Sequence, residues 1–427
     1  MEAEGIGLKL PTLLKEESED DSDDRGGGSA KKSSYEGESY QEKTIFDELQ
    51  SVLYLSRIFG FAPFQVVHNR AMLSKILLIQ NAFFIIVILY SSLVSKHAME
   101  GHKSRSALSL FFFRLTAICR NTYAMICLLH FALKSNVCVR VWNSIEDVRV
   151  ILRDMNVNIN HRNTKIWTYL MILVFLLLFG LFTACYSLTH SSRFTVSLWT
   201  TVFLPIFNTY LLIFYFSALT TNLKTKCRLI NNNFQSEIDS YKTKSALKSH
   251  CNFFDENRKA NTLLVQKIRT LKLLHLKIYK ISKNLNRLFG IHFLYIFVMY
   301  FGLGSLHSFT IIRHLSEGNN KILFIESVTT ITVETIHMTV AVYGAIIINR
   351  EIRRTIILAH KFLTLVHEDD IHLENELQSF CVQLHQCVIH FTASEFFSVD
   401  FTMLFQYAVA FVSNAVFFIQ VDNMKNS

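Results

Sequence analysis

The sequence predicts an all-α, polytopic membrane protein with seven transmembrane helices. Half of the 427 residues are hydrophobic, and the chain has 37 Phe but only 3 Pro. This composition is too apolar and too rich in Phe for an ordinary soluble domain of the same size. Several apolar stretches also reach the ~20 residues that an α-helix needs to cross a bilayer.

Residues 1–44 are predicted to be a disordered acidic tail. The stretch "EESEDDSDDRGGGSAKKSSYEGES" is rich in Gly and Ser and lacks the apolar core of a signal peptide. Such a segment buries too little apolar surface to offset the entropy cost of ordering it.

The rest of the chain divides into two predicted parts. Residues 45–398 hold the first six spans and the helices between them, and residues 399–427 hold the last span and a short C-terminus. Hydropathy predicts the seven spans at residues 76–95, 107–132, 166–188, 194–220, 291–313, 322–349 and 399–421.

Basic residues predict the orientation, because Lys and Arg collect in cytoplasmic loops. The loop between spans four and five holds fifteen basic residues against four acidic ones, whereas the loop between spans three and four carries Arg193 alone. The loop between spans one and two is mixed and disagrees weakly. The N-terminus, with its acidic tail, is therefore predicted in the cytoplasm and the C-terminus outside. Basic cytoplasmic loops also explain the net charge of +9 without any nucleic-acid partner.

Two segments outside the spans predict a helical anchor domain in the cytoplasm. In "NTLLVQKIRTLKLLHLKIYKISKNLNRLF", apolar residues recur every three or four positions from Leu264 to Leu288. "ENELQSFCVQLHQCVIHFTA" places Leu377, Val388 and Phe391 on one face in the same way. An apolar stripe on a protruding helix needs a partner, and an identical subunit is one candidate.

Charged residues inside the spans predict an intramembrane ion pair. Arg120 in span two and Glu334 in span six lie at similar depth, about 18–20 Å from the outer ends of their helices. Pairing is the least costly arrangement for both charges. The pair serves either as a structural clasp or as a ligand-coupled switch, and the sequence leaves both open.

Aromatic and hydrogen-bonding side chains in the outer halves of spans three to six are candidates for a small-molecule pocket. The predicted pocket residues are Tyr186, His190, Trp199, His307 and Thr330, with Tyr300 and Glu326 nearby in the sequence pattern. An aromatic belt at the membrane interface explains much of the same pattern without a ligand.

The last span carries a polar stripe that predicts a pore. Ser413, Phe417 and Gln420 share one helix face, with Asn414 and Val421 beside it. Several copies around a symmetry axis could turn this stripe toward water, with Phe417 as an apolar gate and Gln420 as a ring of amides. The alternative is a helix buried in the bundle with its amides bonded to neighbours.

Enzyme and metal motifs are weak in this sequence. It contains no P-loop, no G-x-S-x-G and no H-E-x-x-H, so no enzyme activity, cofactor or metal site is predicted. Cys381 and His385 lie four residues apart, with Cys387 and His390 beyond, which makes zinc conceivable. An amphipathic helix that happens to carry these residues is the favoured interpretation.

Four stretches carry a family resemblance: "LYLSRIFGFAPFQVV", "NLNRLFGIHFLYIF", "NREIRRTIILAHKFL" and "SEFFSVDFTMLFQYAVAFVSNAVFFIQ". They resemble the insect gustatory receptors, the seven-helix family related to insect odorant receptors. The last resembles the family's final-helix motif, in which Thr-Tyr precedes five apolar residues and Gln. Here Ser413 and Asn414 replace the Thr-Tyr pair, and Asp422 follows soon after Gln420. Ala415 stands where sugar receptors tend to carry Glu, which favours a bitter-type or unassigned receptor.

The resemblance implies a ligand-gated, non-selective cation channel in the plasma membrane. It implies a homotetramer or a heteromer with related subunits, a tastant bound in the outer half of each helix bundle, and passage of monovalent and divalent cations. Carried over to this sequence, Phe417 and Gln420 take the gate and constriction positions, with Val421 adjacent.

A G-protein-coupled receptor is the main alternative because it also has seven helices. The predicted orientation is the reverse of that class, and the sequence has neither D-R-Y after span three nor N-P-x-x-Y at the end of span seven. A transporter is a weaker alternative, because no internal repeats and no Gly/Pro-broken helices are visible.

Overall fold

The structure, a computed structural model, describes residues 44–99, 107–157, 161–189, 203–248, 254–317, 321–366 and 370–426. The described residues are mostly helical, which confirms the all-α prediction. The helices are α1 (Ile45–Glu48), α2 (Gln50–Ile58), α3 (Lys75–Met99), α4 (Ala107–Leu133), α5 (Ser135–Asp154), α6 (His161–Thr189), α7 (Leu204–Lys248), α8 (Phe254–Glu317), α9 (Lys321–Leu363), α10 (Ile371–Gln386) and α11 (Phe401–Asn426).

One β-hairpin interrupts the helices and was not predicted. Strands β1 (Phe64–Val67) and β2 (Arg70–Leu73) pair antiparallel, with Val67 opposite Arg70. The two residues between them, His68 and Asn69, both have positive φ. This is the backbone of the tight two-residue turn that matches strand twist, and Asn tolerates it better than most residues.

Four helical segments among the described residues are long and apolar enough to cross a membrane. They are Thr164–Ala184, Leu204–Ser245, Asn261–Ile312 and Phe324–Leu363, and the α4–α5 pair, bent by 65°, makes a fifth if it is counted as one span. Lys75–Tyr90 is a shorter apolar segment. Each predicted span overlaps an observed helix, although residues 194–202 of the fourth lie outside the described residues. The orientation of the termini stays a prediction.

Three helices continue well past the length of a membrane span. α7, α8 and α9 have 45, 64 and 43 residues, at least twice the ~20 residues that a bilayer requires. The stripe predicted on α8 is buried along its whole length, from Leu264 to Leu288. Its partners are helices of the same chain, including α5 and α10, so an identical subunit is not needed to cover this stripe.

The second predicted stripe is shorter than the sequence suggested. Leu377 and Leu384 on α10 are fully buried, but Val388 is 47% exposed. The reason is that α10 ends at Gln386, so Val388 no longer follows the helical period. Phe391 is buried again, in the irregular segment that leads to α11.

Buried charges hold the first helix of the described chain against the bundle. Glu48, at the end of α1, lies 3.5 Å from Lys226 Nζ on α7 and accepts a 2.8 Å hydrogen bond from Asn222. On α5, Arg149 donates to both carboxylate oxygens of Glu146. All five side chains are buried. Because each of these charges has an opposite partner, the cost of removing it from water is offset.

Candidate functional site

The two charged residues that the sequence singled out meet inside the helix bundle. Arg120 Nη2 on α4 lies 3.8 Å from Glu334 Oε1 on α9, and the two side chains are only 18% and 4% exposed. The second carboxylate oxygen, Glu334 Oε2, is buried and has no hydrogen-bond partner among the described residues. One oxygen of this carboxylate is therefore paired with a cation, while the other can accept a hydrogen bond from a further donor.

The ion pair forms part of the wall of a small cavity. Its volume is about 20 Å³, roughly the space of one water molecule. Four helices, α4, α7, α8 and α9, contribute to the lining, whose polar members include Arg120, Tyr123, Tyr210, Tyr295, Tyr300 and Glu334. A carboxylate surrounded by tyrosine rings offers a hydrogen-bond acceptor within an otherwise aromatic wall.

Stacking fixes three of these tyrosine rings in place. The rings of Tyr123 and Tyr295 stack with centroids 4.2 Å apart, which joins α4 to α8. The ring of Tyr210 on α7 stacks on His337 of α9 with centroids 3.7 Å apart. His337 lies three residues after Glu334, so α9 presents an imidazole and a carboxylate to the same region.

Tyr300 connects the cavity to the last helix. Its hydroxyl oxygen is buried and has no hydrogen-bond partner among the described residues. Its backbone carbonyl accepts a 2.9 Å hydrogen bond from the hydroxyl of Tyr407 on α11. The same residue thus lines the cavity with its side chain and holds α11 with its main chain.

The structure does not gather the predicted pocket residues into this cavity. His307 Nδ1 lies 3.2 Å from Ser327 Oγ, and the Thr330 hydroxyl donates to the carbonyl of Glu326 one turn earlier. Neither lines the cavity. The side chain of Tyr186, and all of His190 and Trp199, lie outside the described residues. Of the wider sequence pattern, Tyr300 is the member that does line it.

Among the described residues, the last helix packs against its neighbours along one side. α11 contacts α8 and α9, and Gly304 of α8 permits the closest approach, since a Cβ there would lie 2.8 Å from the Phe411 ring. Asn414 donates a 3.0 Å hydrogen bond to the Ser305 hydroxyl, also on α8. The other side of α11 is exposed, and its large apolar members are Phe401, Phe405, Val409, Val412, Val416 and Phe417.

The predicted pore residues fall on different sides of α11. Ser413, Phe417 and Gln420 are exposed, and the Ser413 hydroxyl donates to the carbonyl of Val409 in its own helix. Asn414, in contrast, points to α8 and donates its hydrogen bond to Ser305. For this residue the structure matches the alternative interpretation, in which amides of the last span bond to neighbouring helices. The side chain of Val421 lies outside the described residues.

The family model for 7tm chemosensory receptors matches residues 49–425. The chain belongs to this family. In overall fold the receptor is similar to the insect olfactory receptor OR5 from Machilis hrabei, with a TM-score of 0.65 at 13% identity, covering 88% of this chain and 98% of that one. The same receptor in complex with eugenol gives a TM-score of 0.64 at 12% identity, with coverage of 87% and 97%. No match is found among curated proteins.

The family assignment establishes that the chain is a receptor. The resemblance to insect gustatory and odorant receptors is confirmed at the level of the chemosensory receptor family. This receptor is a membrane protein and, as a member of a receptor family, not an enzyme. At these identities the solved structures show the shared fold alone.

Proposed function

We propose that this receptor is a gustatory-type, ligand-gated, non-selective cation channel whose pore is lined by α11 from several subunits. The observation that carries the proposal is the one-sided packing of α11. The helix exposes a continuous face, which includes Val412, Ser413 and Gln420. An amide exposed on a membrane helix costs free energy in lipid but not beside water. A central axis shared by identical helices would cover the apolar part of this face and hydrate the polar part.

The same face is the proposed contact of each subunit with the axis of the assembly. We place four subunits around the axis, either identical or mixed with related receptors, with the N-terminus in the cytoplasm and the channel in the plasma membrane. The basic loops support this orientation. Gln420 then lies toward the outer mouth, and Phe417 forms an apolar constriction below it that gates by excluding water.

The cavity at Arg120 and Glu334 is the proposed ligand site. The free oxygen of Glu334 and the Tyr300 hydroxyl suit a small molecule with a hydrogen-bond donor, such as a hydroxyl or a protonated amine, on an apolar body. Tyrosine faces also attract a cation. Binding of a small molecule to the related olfactory receptor, solved with eugenol, supports a small-molecule tastant here. Ala415, in place of Glu, favours a bitter-type or unassigned receptor over a sugar receptor.

A ligand larger than water has to displace the walls of so small a cavity. Its entry would separate Arg120 from Glu334 and shift α4 relative to α9. Tyr300 would pass this shift to α11 through its bond with Tyr407, and Ser305 would do so through Asn414. The ion pair is then the switch, because it holds the closed arrangement until the ligand replaces it.

Whole-cell current from cells that express this chain tests the proposal. The panel contains sugars and amine-bearing bitter compounds, and the variants are Phe417→Ala and Gln420→Ala. We expect ligand-evoked cation current whose ion preference or resting leak changes in both variants. The matched control is Phe83→Ala, because Phe83 on α3 is 61% exposed, close to the 58% of Phe417. Ligand-evoked current with the same selectivity and leak in all three variants would refute the pore assignment.

A further inference from the structure

Two histidines from different helices meet at the protein surface, away from the cavity and α11. His360 is in the last turn of α9 and His385 is in the last turn of α10. Their Nε2 atoms are 3.1 Å apart, and both residues are exposed. The two imidazoles therefore present ring nitrogens to one point that solvent reaches.

A buried aromatic cluster holds the two helices in this position. The ring of Phe234 on α7 contacts Phe362, two residues after His360, and Phe380, five residues before His385. Both contacts are edge-to-face with centroids 6.0 Å apart, and all three rings are fully buried. The packed rings thus anchor the two helix segments that carry the histidines, so the exposed imidazoles project from fixed backbone positions.

The separation of the nitrogens fits a shared metal ion. Two imidazole nitrogens that each lie about 2.0–2.1 Å from one Zn²⁺, at an angle of about 90–110°, are about 2.8–3.4 Å apart. We propose that His360 and His385 form a two-ligand site for a transition-metal ion such as Zn²⁺ or Cu²⁺, with water in the remaining positions. The bound ion would cross-link the end of α9 to α10.

Neighbouring groups indicate that the site is open and limited to imidazoles. Among the described residues, no group of three or more His, Cys, Asp or Glu side chains is arranged around a metal position. Cys381 lies one turn before His385, but it is buried, and burial raises the pKa of its thiol. The thiolate that a metal would need is therefore disfavoured. Imidazole ligands select Zn²⁺ and Cu²⁺ over Mg²⁺ and Ca²⁺.

The four-residue spacing of Cys381 and His385 in the sequence does not identify the proposed pair. Cys387 and His390 lie beyond the end of α10, so they do not continue the face that carries His385. The second ligand comes from a residue 25 positions earlier, on another helix. The competing explanation for the pair is an N–H···N hydrogen bond between two neutral imidazoles, which the same 3.1 Å distance allows.

Metal binding by the full-length protein separates these explanations. The protein is purified in detergent with a histidine-free affinity tag, treated with chelator, and titrated with Zn²⁺ by calorimetry. Cu²⁺ at less than one equivalent is then examined by electron paramagnetic resonance. The variants are His360→Ala and His385→Ala, and the control is His372→Ala, an exposed histidine elsewhere on α10.

We expect the wild-type protein and the His372→Ala control to bind Zn²⁺ alike and to show Cu²⁺ coupled to two imidazole nitrogens. Each site variant should bind Zn²⁺ at least about tenfold more weakly, since even second-shell changes cost about 10–100-fold in metal affinity. Each should also retain one coupled nitrogen at most at this position. Equal Zn²⁺ affinity and equal Cu²⁺ spectra in all four proteins would show that the pair is only a hydrogen bond and would overturn the proposal.

Discussion

Removing Arg120 alone should be more damaging than removing both charges of the Arg120–Glu334 pair. At 3.8 Å and an effective dielectric constant of about 20, the Coulomb attraction is about 4 kcal/mol. Arg120→Met leaves a carboxylate that is 4% exposed without its partner, and such a loss costs about 3–5 kcal/mol. Glu334→Gln should cost less, because the Arg120 side chain is 18% exposed and reaches some water.

A double-mutant cycle measures this coupling. The free energy of unfolding is determined by detergent-induced unfolding of the wild-type protein, Arg120→Met, Glu334→Gln and the double variant. We expect a coupling energy of about 2–3 kcal/mol that exceeds the cost of Glu334→Gln, so the double variant should be more stable than Arg120→Met alone. The same four proteins are tested for ligand-evoked current. Coupling below about 0.5 kcal/mol, together with an unchanged ligand response, would refute the switch.

Three further changes test other parts of the structure. Lys226→Met should cost about 3–5 kcal/mol and speed proteolysis near Glu48, because it removes the cation that lies 3.5 Å from that buried carboxylate. Unchanged thermal stability would show that this ion pair does not hold α1 against α7. Gly60→Ala should lower the free energy of unfolding by about 2 kcal/mol or more, because φ is +83° and a Cβ would collide with the Asn81 side chain. An unchanged thermal unfolding temperature would show that the local backbone adjusts. Asn414→Ala should lower the free energy of unfolding by about 1 kcal/mol and raise the resting current, because α11 loses its hydrogen bond to Ser305 of α8. Resting and ligand-evoked currents identical to those of the wild-type protein would argue against this hydrogen bond as a connection to the pore.

The helices could be predicted because their signal is local. Apolar runs of about 20 residues mark the spans, and a stripe with a spacing of three or four marks the buried face of α8 from Leu264 to Leu288. The positions of Arg120 and Glu334 along their helices likewise predicted that both lie at the same depth, and in the structure the two side chains form an ion pair. These features can be read from apolar runs and their spacing, from the rise per residue of a helix, and from the cost of burying a charge.

The cavity could not be predicted because its members come from four helices. Tyr123, Tyr210 and Tyr295 lie far apart in the sequence, and no spacing rule shows that α4, α7 and α8 turn these rings toward one another. The partner of His385 was missed for the same reason, since His360 lies on α9. The hairpin turn at His68 and Asn69 left only a weak local signal, an Asn shortly after the strand-forming run Phe64–Val67.

Chemical modification of the last helix tests the central claim most directly. Gln420→Cys is expressed in cells, and ligand-evoked current is recorded before and after external application of a positively charged thiol reagent. We expect the reagent to reduce cation current through Gln420→Cys, because each subunit places a new charge beside the pore. Current should be unaffected in the wild-type protein and in Leu177→Cys, an exposed position on α6. Current through Gln420→Cys that the reagent leaves unchanged would contradict a pore lined by α11.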